Sequence, residues 1–137
     1  MTYKPSHITD LIIKAFFNVY NKLGYGFLEK VYENAMLVEL QKLGLKVVGQ
    51  QGIAVYYDEV EVGLYFADLI VEDSVLVELK ASEFLCEEHE AQLTNYLKAT
   101  SLEVGILLNF GKSAQFKRKI FDNNYKLIKN TAISKSV

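Results

Sequence analysis

The sequence predicts an α/β fold in which a mixed central sheet has helices on both faces. The first observation is the order of the predicted elements: two helices, three or four strands, a third helix and a further strand. The second is that the central strands are apolar on both faces, as is typical of strands covered on both sides. A helix between two strands is the usual crossover between parallel neighbours.

Two helices are predicted in the first third of the chain. Apolar residues within 8–23 recur every three or four positions, which gives one face of an amphipathic helix. Ser6 or Thr9 is expected to cap its start. The second helix is expected over about 27–43, and a glycine directly after each helix is expected to end it.

Strands and a third helix are predicted in the remainder of the chain, which we expect to form one domain over residues 1–137. The helix is expected from about Glu87 to Thr100. The segment after Tyr125 is expected to be a short extended piece or a frayed tail. The predicted strands are Leu45–Gly49, Ile53–Tyr57, Val62–Val71, Val75–Ala81, Val104–Leu108 and Phe116–Phe121.

Three charged residues lie on the two most apolar strands. Asp68 is near the end of one strand, and Glu78 and Lys80 share a face of the next because side chains alternate along a strand. If residues 72–74 form the hairpin loop, Asp68 lies opposite Glu78 and the three groups converge. Such a group suits a hard cation such as Mg²⁺, which takes one or two protein carboxylates. The alternative is a turn aspartate beside a surface ion pair, but charges on strands this apolar need a reason.

Composition narrows the class of protein. Half of the residues are apolar, which indicates a globular chain. One cysteine, Cys86, excludes an internal disulfide and a cysteine metal cluster, and it fits a reducing compartment. The first residues do not resemble a signal peptide, and no apolar stretch approaches the roughly 20 residues of a membrane span. We therefore expect a cytoplasmic protein without membrane contact.

Charge is segregated along the chain. Residues 58–90 carry eleven acidic residues and one basic residue, whereas residues 111–137 carry seven basic residues and one acidic residue. An enzyme acting on nucleic acid needs both signs, for cations and for phosphates. Within Lys117, Arg118 and Lys119, the arginine is the first candidate for a bidentate phosphate contact. The alternative is that the basic segment only aids solubility.

Gln92 and Tyr96 are one turn apart on the third predicted helix, and His89 shares their face. Gln92 and Tyr96 could hold a water or a phosphate near the hairpin. The alternative is a packed tyrosine with a solvated glutamine and histidine.

Taken together, these residues resemble the PD-(D/E)XK nuclease superfamily and, within it, the RecB-like nucleases. The matching motifs are Asp68, Glu78-Leu79-Lys80 and Gln92-x-x-x-Tyr96, in that order. Residues 26–32, Gly-Phe-Leu-Glu-Lys-Val-Tyr, also resemble the string that names the GxxExxY family. Further family-like stretches are Leu23–Gly26, Ala67–Val71, Val77–Ala81, His89–Leu93 and Leu107–Phe110.

The resemblance implies a restriction-endonuclease-like core over roughly residues 8–121 and gives Glu29 a role, since related nucleases bring an acidic group from this helix to the metal. The alternative for Glu29 is a carboxylate favoured by the helix dipole. Two departures are visible: Tyr20 stands where the family usually has histidine, and Tyr25 stands where proline is usual, which should loosen that turn.

The leading hypothesis is a Mg²⁺- or Mn²⁺-dependent phosphodiesterase acting on DNA or RNA, with DNA favoured. Asp68, Glu78 and the backbone carbonyl of Leu79 would be the metal ligands. Lys80 would position the water or stabilise charge, and Glu29 and Gln92 would assist. Tyr96 and the basic residues 117–119 would contact nucleic acid.

Two other readings stay open. One is a nuclease-like module that binds nucleic acid or a protein partner without turnover, as a homodimer or beside that partner. The other is a structural network of buried carboxylates and a lysine, in which loss of Lys80 would destabilise the fold.

Overall fold

The structure is a computed structural model that describes residues 5–126. Its five strands form one sheet in the order β1-β2-β3-β4-β5, with β3 and β4 parallel and the other neighbours antiparallel. The elements are α1 (Pro5–Leu23), α2 (Glu29–Lys42), β1 (Val47–Tyr57), β2 (Val60–Val71), β3 (Val75–Lys80), α3 (Glu87–Lys98), β4 (Val104–Phe110), β5 (Ala114–Ile120) and a 3₁₀ turn (Asn123–Tyr125). The predicted α/β fold with a mixed sheet is confirmed.

Helices cover both faces of the sheet. The stripe from Ile8 to Val19 on α1 packs with α2 against one face, where the core includes Leu69, Val77 and Leu79. On the other face, Leu93 and Leu97 of α3 pack against the strand residues whose side chains point away from α1 and α2. Strand β3 is buried along almost its whole length because it is covered on both sides.

Most predicted boundaries differ from the structure by a few residues, and the differences at β1, α2 and the start of α1 have identifiable causes. The two strands expected at 45–49 and 53–57 are one strand, β1, which continues through Gln50 although that residue has a left-handed φ of 54°. Helix α2 begins at Glu29, two residues later than expected, after a Leu28 that provides no side-chain cap. Ser6 and Thr9 both lie inside α1 and do not cap it; the Thr9 hydroxyl donates to the carbonyl of Ser6. The predicted tail beyond residue 126 and the residues before Pro5 lie outside the described residues, so a single domain over 1–137 stays a prediction.

The β2–β3 hairpin has the predicted register. Val71 faces Val75 and Leu69 faces Val77 across a loop of residues 72–74. Pairing with β3 covers only the last three residues of β2, so the two strands separate beyond Leu69. The opening between them is where the charged residues meet.

The long β1–β2 hairpin projects past the end of β3. A two-residue turn at Asp58 and Glu59, both with left-handed φ, closes it. Tyr65 lies opposite Ile53, on the face that packs towards α3. Its neighbour Phe66 points to the opposite face because side chains alternate.

Candidate functional site

A reciprocal pair of hydrogen bonds joins Asp68 and Glu78 where β2 and β3 separate. The backbone N–H of Asp68 donates to Glu78 Oε2, and the N–H of Leu79 donates to Asp68 Oδ2, each at 2.8 Å. Each carboxylate thereby accepts a backbone N–H of the other strand's site segment where the ladder ends. The predicted convergence of the two side chains is therefore present in the structure.

Burial disfavours ionisation of these two carboxylates. Glu78 is only 4% exposed. Its burial first, and then the charge of Asp68, raise the pKa of Glu78 to about 8. Burial also raises the pKa of Asp68, against a lowering by the N–H of Leu79. A bound cation would offset the repulsion between the two carboxylates.

Lys80 is held by the third helix. Its Nζ donates to Gln92 Oε1 at 3.1 Å, and Gln92 Nε2 donates to the hydroxyl of Tyr96 at 2.9 Å. The chain Lys80–Gln92–Tyr96 explains the spacing of the glutamine and the tyrosine, since one turn of α3 places both in line with the lysine. Tyr96 is 6% exposed, so it offers little surface for the predicted nucleic-acid contact.

Glu29 reaches the same region from the start of α2. Its Oε2 accepts a hydrogen bond from the backbone N–H of Ala81, one residue beyond Lys80, at 3.4 Å. One turn later, the buried Tyr32 donates to the carbonyl of Gly24 at 2.7 Å and accepts from the N–H of Phe27 at 3.1 Å. Tyr32 thus fixes the turn that precedes Glu29.

Glu33 is a further residue of this site, and it matches none of the family motifs in the sequence. It is buried, and its Oε1 accepts from Gln50 Nε2 at 2.7 Å. Its charge contributes to the raised pKa of both Asp68 and Glu78. The available signal was its position one turn after Glu29, which brings both carboxylates to one face of α2.

The structure does not bring the basic residues 117–119 to one surface. Arg118 pairs with Asp10 of α1 at 2.9 Å, whereas Lys119 pairs with Glu90 of α3 at 2.8 Å. Lys117 is exposed and lies opposite Leu107, whose other partner is Glu78. Because side chains alternate along β5, Arg118 points to the opposite face from Lys117 and Lys119. Lys117 is also two strand spacings, about 10 Å, from β3, the strand that carries Glu78.

The converging donors fit a hard divalent cation. Within residues 5–126, no three His, Cys, Asp or Glu side chains are arranged as a metal cage. The carboxylates of Asp68 and Glu78 nevertheless match the one or two protein ligands that Mg²⁺ usually takes, with water completing its shell. Leu79 lies between Glu78 and Lys80 on β3, and a role for its carbonyl stays a prediction.

No helix among the described residues is long and apolar enough to span a bilayer.

Comparisons with known proteins agree with this geometry. The crystal structure of a protein designated SSO0001 matches with a TM-score of 0.50 and 18% identity, over 85% of this chain and 60% of that one, which supports the fold alone. No curated protein sequence is significantly similar. The sequence model of the PD-(D/E)XK nuclease superfamily matches residues 6–120. The chain therefore belongs to the PD-(D/E)XK nuclease superfamily.

Proposed function

We propose that this protein is a metal-dependent nuclease that hydrolyses phosphodiester bonds, with DNA the favoured substrate. The observation that carries the proposal is the buried Glu78 beside the half-buried Asp68, next to a lysine that Gln92 holds in place. Membership of a nuclease superfamily supports the reaction class.

Each residue has a separate task in this proposal. Asp68 and Glu78, with the Leu79 carbonyl, would hold Mg²⁺ or Mn²⁺; such an ion polarises a phosphoryl oxygen and lowers the pKa of a bound water. Lys80 orients the attacking water or stabilises the charge that develops on the phosphate. Gln92 keeps the lysine ammonium in place, and Glu29 adds an acceptor at the end of β3.

We infer the GxxExxY family and a RecB-like placement from Gly26, Glu29 and Tyr32 and from the Gln92–Tyr96 spacing. Lys117 and Lys119, on the α3 side of the sheet, are better placed than Arg118 to follow one nucleic-acid strand. A cytoplasmic location and a homodimer or partner protein remain predictions.

The test is cleavage of labelled single- and double-stranded DNA and RNA in Mn²⁺. We expect the parent protein to cleave, and we expect Glu78→Gln and Lys80→Met to lose activity by at least about 100-fold, as is usual when a group acting on the reacting atoms is removed. Glu61→Gln, an exposed change on β2, is the matched control. Cleavage by Glu78→Gln at the parent's rate, or cleavage that persists in a chelator, would contradict the proposal.

A non-catalytic nucleic-acid-binding or partner-binding module is the second candidate. The ion pairs of Arg118 and Lys119 favour the partner-binding form of this candidate, because they use positive charge that any nucleic-acid-binding protein would present to phosphates. This candidate predicts binding of nucleic acid or partner that is unchanged by a chelator, together with no cleavage in Mn²⁺.

A further inference from the structure

We propose that a groove beside the carboxylate–lysine site binds one unpaired base of the nucleic-acid substrate, so that the enzyme prefers single strands or frayed ends. This inference rests on the proposed function and deepens it. The groove, called here the α3 groove, lies between α3 and the β1–β2 hairpin and has a volume of about 690 Å³. Residues that line it include Val55, Tyr65, His89, Gln92, Asn95 and Tyr96.

An aromatic wall is the first reason for choosing a base as the ligand. The Tyr65 side chain is 49% exposed, and its ring lies 5.4 Å from that of Tyr96 at an angle of 48°. Tyr96 is itself buried and bonded to Gln92, so Tyr65 stands against a fixed support. A supported and half-exposed ring is the kind of platform on which nucleobases stack in single-strand-binding proteins.

The helical wall supplies polar groups for the edge of a base. His89, Gln92 and Asn95 follow each other at three-residue intervals, so they form one row along α3. His89 Nδ1 accepts a hydrogen bond from the N–H of Cys86, which assigns the proton of the neutral ring to Nε2. His89 can therefore donate to a base edge through Nε2–H, and the amide of Asn95 can both donate and accept.

Gln92 connects the groove to the site of chemistry. It lines the groove, and its Oε1 also accepts from Lys80 at 3.1 Å. A base in the groove therefore belongs to a nucleotide next to the phosphate that Lys80 faces. A paired and stacked base cannot enter such a groove without leaving the duplex, which costs a few kcal/mol and is avoided in a single strand.

Charge also favours stacking over phosphate contact as the source of affinity. Among the described residues, the charged groups that line the groove are Glu88 and Lys98, one of each sign. A groove with balanced charge gains little from the backbone of a polyanion. Its selectivity must come from the base.

The absence of tryptophan from the sequence gives a direct test. Tyr65→Trp places a single indole in the groove, and Phe66→Trp places one on the opposite face of the same strand, where Phe66 is 53% exposed. Both are titrated in a chelator with single-stranded DNA of about 12 nucleotides, with the matching duplex, and with an abasic strand of equal length. We expect quenching only for Tyr65→Trp and only with the single strand that carries bases.

Affinities of the alanine variants provide a second readout. We expect Tyr65→Ala to weaken single-strand binding about tenfold, the effect of losing one base–aromatic stack, and Tyr65→Phe to retain it. Phe66→Ala should change it by less than about twofold. Equal losses for the two alanine variants, equal quenching of the two tryptophans, or equal quenching by the duplex or the abasic strand would overturn the inference.

Cleavage of the same oligonucleotides in Mn²⁺ is scored separately. Cleavage without selective quenching of Tyr65→Trp would overturn base binding in the α3 groove and leave the proposed function standing. Selective quenching without cleavage would support base binding in the groove and overturn the catalytic proposal.

Discussion

At the scale of single residues, burial of Glu78 beside Asp68 links folding to pH. The pKa of Glu78 is about 8 in the folded protein and ordinarily 4.5, so the folded state keeps a proton that the unfolded chain releases between these values. The stability that this proton represents is complete below about pH 4.5 and is lost as the pH rises through 8. The metal-free protein should therefore lose stability from about pH 5 to pH 8.

Glu78→Gln should remove most of that dependence. The neutral amide can still accept from the N–H of Asp68, so we expect the variant to exceed the parent at pH 8 by on the order of 3 kcal/mol. Urea unfolding in a chelator, repeated from pH 5 to pH 9, measures this difference. The exposed Glu61→Gln serves as control. A parent protein whose stability stays flat over this range would refute the assignment.

The buried Glu33 leads to a second prediction at this scale. Removing its charge should weaken cation binding at the Asp68–Glu78 pair, because Glu33 acts on both carboxylates. We expect Glu33→Gln to bind Mn²⁺ about fivefold more weakly at pH 9, the effect of one partly screened charge. Titration calorimetry would measure it, with Glu39→Gln on the same helix as the comparison. Similar losses in both variants would show that Glu33 has no specific effect.

At the scale of elements, the sequence was most informative where one physical rule dominates. The apolar β2 and β3 strands, and the polar loop between them, predicted the register that places Asp68 beside Glu78. The sequence predicted two strands in place of the continuous β1. A left-handed φ at the non-glycine Gln50 is rare, and no neighbouring residue indicates it. The side chain of Gln50 instead donates a hydrogen bond to a residue distant in sequence, the carboxylate of Glu33. Tertiary partners of this kind cannot be read from local pattern.

The loop after β3 contacts both β4 and the site residue Glu29. Asn109 of β4 grips Ser82 with two hydrogen bonds, of 3.0 and 2.9 Å, and the carbonyl of Ser82 lies only 2.3 Å from where a Cβ on Gly111 would stand. Gly111→Ala must therefore move this loop. Ala81, which meets Glu29, would move with it.

We expect Gly111→Ala to lower the free energy of unfolding by about 2 kcal/mol and to reduce cleavage by more than the loss of folded protein explains. Gly63→Ala is the matched control, because the nearest atom to its Cβ would be an ordinary 3.6 Å away on Tyr65. Thermal unfolding and cleavage rates of both variants provide the measurement. An unchanged Gly111→Ala protein would mean that the loop has room to adjust.

At the scale of the whole molecule, charge limits how nucleic acid can be held. The chain has a net charge of −2, and the acidic stretch 58–90 surrounds the site residues Asp68 and Glu78. In the part of the chain that the structure describes, the basic strand β5 is partly committed to ion pairs with α1 and α3. Within residues 5–126, segregation of charge in sequence therefore does not become a continuous basic surface. Strand β5 can neutralise few phosphates at once.

The salt dependence of binding should be correspondingly shallow. With two or three phosphate contacts, the logarithm of single-strand affinity should fall against the logarithm of salt concentration with a slope of about −2, since each contact contributes roughly −0.7. Lys117→Ala should make the slope shallower by about 0.7, because Lys117 is exposed on the α3 side. Arg118→Ala, which acts on the α1 side beside Asp10, should leave it unchanged. A slope steeper than about −5 would require an extended basic surface and would restore Arg118 as a principal phosphate contact.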